Sequence, residues 1–233
     1  MKLARPDIFH PRIVLAGDPL APGESGGRVD DVALVESLRR RGLQARSLSW
    51  DDPDALAADL VILRATHDVL DRKAEFLAWT RRVPALLNDP DVIAWNAEER
   101  YLRDLEYAGV PTMRGQSRED PIALVFFGSG QSHAFRTGHA VDPDFEMWDL
   151  GRSALRAAAE RLSIRIDELL YARADVIGPP SDARLVSLDL IAPQLGWRHI
   201  SPVDRDGAQR RFTLAVESAL NRLGLGPLAQ RRP

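Results

Sequence analysis

Cysteine is absent from the 233 residues, and that absence removes disulfides, thiolate nucleophiles, cysteine-bound zinc and iron–sulfur clusters together. A cytoplasmic setting is the expectation that follows. Lysine is nearly absent as well: of 31 basic residues only Lys2 and Lys73 are lysine, so point-charge grips on phosphate are scarce. The bland expectation for this bias toward arginine is a GC-rich genome. No excess of positive charge exists either, because the net charge is −3 and the pI about 6.0. A nucleic-acid partner needs clustered positive charge to displace counterions, and none is expected. Long apolar runs are missing, the stretch Ile122 to Phe127 being far too short to cross a bilayer. Met1 to Asp7 leads into no apolar signal region, so neither a membrane span nor secretion is expected. What remains is an ordinary globular composition, 45% hydrophobic and 28% charged, long enough for one large domain or two small ones.

The first half alternates strand and helix. Arg12 to Ala16 is a β-branched run ending at Gly17, and Asp31 to Arg41 carries Val32, Leu34, Val35 and Leu38 before a stop at Gly42. Strands are expected at Gln44 to Leu48, Leu60 to Ala65 and Ala85 to Asn88, with helices at Arg72 to Arg82 and Ala97 to Ala108. That order specifies a parallel, Rossmann-like sheet. The second half reads differently. Leu124 to Phe127 and Ser132 to Arg136 flank a Gly-Ser-Gly turn, and Tyr171 to Ile177 and Arg184 to Ile191 flank Gly178-Pro179-Pro180, giving two antiparallel hairpins. A helix over Ser153 to Leu162 and a closing helix through Phe212, Val216 and Leu223 complete an α+β half. The expected boundary falls between Val110 and Asp120, dividing the chain into 1–110 and 111–233.

Candidate sites follow from position. The loop Gly17 to Arg28 is glycine-rich and follows the first strand, yet it lacks both a Lys-Ser/Thr pair and a compact dinucleotide fingerprint, so it reads first as a surface loop. Arg64, Thr66 and His67 lie at the carboxyl end of a parallel strand, and Asn96 and Arg100 at the start of a later helix. In a doubly wound sheet these five can converge on one crevice, where two guanidinium forks suit a small anionic ligand. Loss of Arg64 is then expected to weaken binding and spare the melting temperature. The plainer reading makes Arg64 an ion-pair residue and Thr66 or Asp68 a helix cap. His133 and His139 are six apart, which does not place two imidazoles together for zinc. Asp175 and Asp189 fall on paired strands and can share a face for a hard cation, the alternative being pairing with Arg173 or Arg184.

The blocks Arg64-Ala65-Thr66-His67-Asp68, Leu87-Asn88-Asp89-Pro90, Trp95-Asn96-Ala97, Arg100-Tyr101-Leu102 and Gly109-Val110-Pro111-Thr112, continuing through both hairpins, resemble ATP-grasp carboxylate–amine ligases of the glutathione-synthetase type. The resemblance covers most of the chain. It implies a Rossmann-like domain followed by an ATP-grasp domain, with Arg136 beside the phosphates and Asp175 and Asp189 as metal carboxylates. It also marks departures. The lid subdomain, with its lysines, belongs between Thr112 and Leu124, where only the eleven residues Met113 to Ala123 stand. Ser187 and Ala192 occupy positions usually or often acidic, Glu99 a frequent lysine and His67 a frequent tryptophan.

Phosphoryl transfer depends on cations placed around developing charge, and these losses remove several kcal/mol of it. The resulting expectation is a degenerate, non-catalytic ATP-grasp-like protein with no cofactor, in which Arg136, Asp175 and Asp189 are vestigial. It binds a small carboxylate, a peptide-like ligand or a partner protein, and the face left without a lid favours a homodimer. The rival is an ATP-dependent ligase using ATP and magnesium, its lid supplied in trans or its nucleotide site rebuilt with arginines.

Overall fold

The apolar run Ile13-Val14-Leu15-Ala16 is buried throughout, as a central parallel strand covered on both faces must be. It lies in β1 (Arg12–Gly17), which pairs in parallel with β2 (Gln44–Ser49) on one side and β3 (Leu60–Leu63) on the other; β4 (Leu86–Leu87) pairs with β3. The order is β2-β1-β3-β4. Helix α1 (Val29–Arg40) buries Leu34, Val35 and Leu38, and Gly42 ends it with φ at +82°, a conformation glycine reaches without strain. Helix α2 (Lys73–Thr80) supplies Phe76 and Trp79 to an aromatic cluster around Trp50, and the Arg72 guanidinium lies 4.5 Å above the Trp50 ring. The computed structural model describes residues 10–17, 29–64, 71–113, 115 and 118–226. The glycine-rich loop beyond Gly17, Thr66, His67, Asp68 and most of the C-terminal tail lie outside these.

Helices α3 (Pro90–Asn96) and α4 (Tyr101–Tyr107) precede a five-stranded antiparallel sheet of order β7-β6-β5-β8-β9. Its strands are β5 (Ile122–Phe127), β6 (Gly130–Arg136), β7 (His139–Val141), β8 (Tyr171–Ile177) and β9 (Arg184–Asp189). Helix α5 (Phe145–Leu162) covers one face. Its Gly151 lets the helix pack closely on the sheet, since a Cβ there would stand 2.9 Å from the Phe126 ring. Val92, Trp95 and Leu105 join Leu124, Phe126, Leu155, Ala158, Ala174 and Leu188 in that core. The last helix, α6, runs Pro202–Arg222.

The fold is thus α/β, a parallel sheet followed by an α+β portion, as the residue pattern specifies. The chain groups into two compact units, Met1–Leu87 with Thr213–Pro233, and Asn88–Phe212. The division falls earlier than the stretch Val110 to Asp120, because α3 and α4 bury their apolar faces in the core of the antiparallel sheet. Three elements differ from expectation. Helix α3 was not foreseen, although Asp89 caps it by accepting from the Asp91 N–H at 2.9 Å and Pro90 opens it. Helix α5 starts eight residues before Ser153, and β7 adds a third strand to the first hairpin.

Candidate functional site

Pleating sorts β8 into two faces. Ala172, Ala174 and Val176 enter the helix-covered core, while Arg173 and Asp175 stand on the opposite face. Register aligns Arg173 with Val125, His133 and Asp189, and Asp175 with Ala123, Phe135 and Ser187. On this face the Arg173 Nε donates to Asp175 Oδ1 at 2.7 Å, and the Ser187 hydroxyl donates to Asp175 Oδ2 at 2.8 Å. The Arg173 guanidinium also lies 5.3 Å over the Phe135 ring, which stacks on His199 with centroids 5.3 Å apart.

Desolvation sets the protonation of the flanking groups. It holds the His133 imidazole below its ordinary value, so the neutral ring donates from Nε2 to the Leu195 carbonyl at 2.6 Å and accepts from Ser132 at Nδ1. It pushes the Asp189 carboxyl above its ordinary value, although Oδ1 accepts from the Ile191 and Ala192 N–H groups and Arg173 pulls the other way. Burial likewise raises Tyr101, whose hydroxyl oxygen accepts from the Leu188 N–H at 3.2 Å.

The carried-over residues separate by face. Asp175 and Asp189 share one, as the spacing suggests, but Arg136 aligns with Ala134 and so belongs to the helix side of the sheet. Its Nε is buried without a hydrogen-bond partner. Of the five crevice residues, Arg64 is buried and bonded to Asp31 at 2.9 Å, so its guanidinium serves the interior of the parallel-sheet unit. Asn96 is buried too, donating to the Leu188 carbonyl at 2.8 Å and accepting from the Leu190 N–H at 2.7 Å. Arg100 is exposed at the start of α4. Phe135 and His199 are contributors that the sequence reading does not single out, whereas Ser187 is marked there only as a departure at a usually acidic position; period-two alternation on β6 is the signal that aligns Phe135 with His133.

Magnesium keeps several waters and is held through one or two carboxylates, but here both Asp175 oxygens already accept hydrogen bonds from Arg173 and Ser187 and Asp189 turns Oδ1 into its own loop, so the pair fits the ion poorly in this arrangement. Among the described residues no three His, Cys, Asp or Glu side chains are grouped to hold a metal. The connection from α4 to β5 is fixed to the sheet edge: Met113 N–H bonds the Leu185 carbonyl at 2.7 Å, and Leu185 N–H bonds the Pro111 carbonyl at 2.8 Å. Among the described residues no helix is long and apolar enough to cross a membrane.

Residues 13–88 match the family profile described as D-cycloserine synthetase DcsG, N-terminal domain. Cycloserine biosynthesis protein DcsG of Streptomyces lavendulae is 31% identical over 116 residues, covering 48% of this chain and 36% of that protein. The matched stretch is thus about a third of this relative's length. The crystal structure of D-cycloserine synthetase DcsG is similar with a TM-score of 0.72 at 20% identity, over 88% of this chain and 98% of that one. ATP-grasp ligase PsnB, complexed with precursor peptide PsnA2 and AMPPNP, is similar with a TM-score of 0.57 at 14% identity, over 90% and 100%. In fold this chain is similar to D-cycloserine synthetase DcsG and to ATP-grasp ligase PsnB, and its residues 13–88 match the DcsG N-terminal domain.

Proposed function

We propose that this protein is a non-ligating ATP-grasp-like binder that holds a small carboxylate, or the carboxylate of a peptide or partner protein, on the open face of its antiparallel sheet. The observation that carries the reading is the Arg173–Asp175–Ser187 arrangement. A fixed internal guanidinium supplies positive charge where the family resemblance expects a metal ion beside Asp175, and a hydroxyl takes up the second Asp175 oxygen. Arg173 engages Asp175 through Nε, and no other hydrogen bond from its side chain is made among the described residues. Its terminal nitrogens can therefore fork a ligand carboxylate above Phe135. The PsnB complex, which contains a precursor peptide, supports a peptide-borne ligand.

The test has two arms. Calorimetry with Mg-ATP, and ADP release with mixed amino acids, are both expected to be blank. Amine- and carboxylate-dependent ADP release abolished by Asp175→Asn would instead establish a ligase with ATP and magnesium as cofactors and a lid supplied in trans. Succinate is expected to bind the wild type, with Arg173→Met weakening it by on the order of tenfold, the worth of one charged hydrogen bond. Equal succinate affinity in the two proteins removes the Arg173 assignment. A homodimer and a cytoplasmic location belong to the same reading. Phe145 and Val203, 70% and 80% exposed, are apolar side chains that a dimer would cover. Light scattering that finds a monomer across micromolar concentrations removes the dimer.

A further inference from the structure

We infer that Ser132 is an activated nucleophile, with His133 as its general base, and that this pair cleaves small carboxylic esters. Every group involved lies within the unit Asn88–Phe212. Val125 pairs with His133 and Phe126 with Gln131, so Ser132 is the extra residue of a bulge on β6 and has no partner on β5. Bulges re-aim a side chain out of the alternation and are over-represented beside active sites. Neighbours on a regular strand point to opposite faces, but here the Ser132 hydroxyl stands 2.9 Å from His133 Nδ1.

The network fixes where each proton lies. His133 Nε2 faces the Leu195 carbonyl at 2.6 Å and must carry hydrogen, since a carbonyl only accepts. Burial keeps the ring neutral, which leaves Nδ1 as a bare lone pair. The one proton of the Ser132 hydroxyl therefore points at Nδ1. Arg211 donates from Nε to Oγ at 3.3 Å and from a terminal nitrogen to the Ser132 carbonyl at 2.9 Å. A hydroxyl, a base within hydrogen-bond reach and a third group that orients the base are what a nucleophilic serine requires. Phe127 and Phe135 flank the imidazole, which is 8% exposed, while Ser132 is partly open to solvent.

In the reaction Oγ attacks the ester carbonyl carbon as its proton passes to Nδ1, the bond to the leaving alcohol breaks, and the alkoxide takes that proton. Water repeats the sequence on the acyl-serine and releases the acid. Arg211 adds positive charge beside the developing oxyanion, screened because the residue is exposed. None of this rests on the carboxylate site at Arg173.

Diisopropyl fluorophosphate tests the assignment on the full chain, because it leaves a stable phosphoryl-serine, releases fluoride and can be mapped by mass spectrometry. Ser129, exposed in the turn of the same hairpin, is the internal reference. Ser132 is expected to be labelled at least about a hundredfold faster than Ser129, the lower end of general-base assistance. p-Nitrophenyl acetate is expected to release nitrophenolate with the wild type, and Ser132→Ala to lose that release. His133→Gln keeps a donor for Leu195 without a base and should slow labelling of Ser132 by about a hundredfold, with the melting temperature as the check on folding. Should that variant unfold, Ser132→Ala decides alone, since it removes only one partly exposed oxygen. Labelling of Ser132 no faster than Ser129, nitrophenolate release that survives Ser132→Ala, or a folded His133→Gln labelled as fast as the wild type overturns the proposal and leaves Ser132 as a partner that merely orients the ring.

Discussion

Replacing Arg64 separates two accounts of one residue. As an anion-gripping side chain it could be removed at little cost to folding. The structure instead bonds its Nε to Asp31 Oδ1 at 2.9 Å with the two side chains 6% and 7% exposed, and its backbone N–H to the Ala16 carbonyl. Arg64→Met keeps the length and apolar stem but leaves the Asp31 carboxylate desolvated and uncompensated. Breaking a buried pair this way costs about 3–5 kcal/mol, whereas replacing both partners with apolar residues is often close to neutral. At about 2–4 °C per kcal/mol for a protein of this size, the melting temperature should fall by roughly 6–20 °C. Asp31→Leu added to Arg64→Met should recover most of that loss, because the stranded charge is gone. Thermal melts of wild type, both single variants and the double variant complete the cycle. A shift below about 2 °C for Arg64→Met refutes the structural role and returns Arg64 to the binding candidates.

Asn88 is buried and donates to the Tyr171 and Leu190 carbonyls while accepting from the Leu170 N–H. Asn88→Ala strands those backbone groups and should cost about 3 kcal/mol or more in urea unfolding; a loss under about 1 kcal/mol would mean that water replaces the amide. Asp189→Asn keeps the oxygen that accepts from Ile191 and Ala192 but removes a charge that desolvation disfavours. Because the folded carboxyl titrates above its unfolded value, the fold holds a proton the unfolded chain has released, and wild-type stability declines as pH rises through that window. Melting temperatures from pH 4 to 7 should therefore fall in the wild type relative to Asp189→Asn, and parallel curves contradict the assignment. Gly151→Ala should cost about 1–3 kcal/mol by overpacking against Phe126, and Phe126→Leu in the same chain should relieve it.

Legibility in the sequence tracks how local each cause is. Strand β8 matches Tyr171 to Ile177 at both ends, and β1 and the Gly-Ser-Gly hairpin are placed correctly, because alternation and turn glycines act within a few residues. Helix α3 carried its cap and proline in plain view at Asp89 and Pro90, but at seven residues it is too short to display a period. The start of α5 was hidden by Gly151, whose reason for being there is a ring on another strand. Asn88 and Asn96 were least legible in role. Their partners lie 82 to 102 residues away, so nothing nearby distinguishes a backbone clamp from a ligand contact.

The metal face turns on one position. Ser187 lies directly opposite Asp175, and a hydroxyl there donates to the carboxylate. A carboxylate there would repel Asp175 at cross-strand distance and require a cation to hold the pair together. Arg173 meets the remaining need from two residues away on the same strand. Ser187→Asp combined with Arg173→Ala exchanges a hydroxyl for an acid and withdraws the internal cation, leaving Asp175, Asp189 and the new carboxylate on one face. Three acidic side chains supply the oxygen donors that a divalent ion takes up. The double variant is expected to gain stability on addition of manganese, read as a rise in melting temperature and confirmed by loss of the free-ion resonance, while the wild type does not respond. Manganese binding by the wild type that disappears in Asp175→Asn would show that the Arg173 contact yields to a metal, and the assignment of Arg173 as resident cation would be wrong.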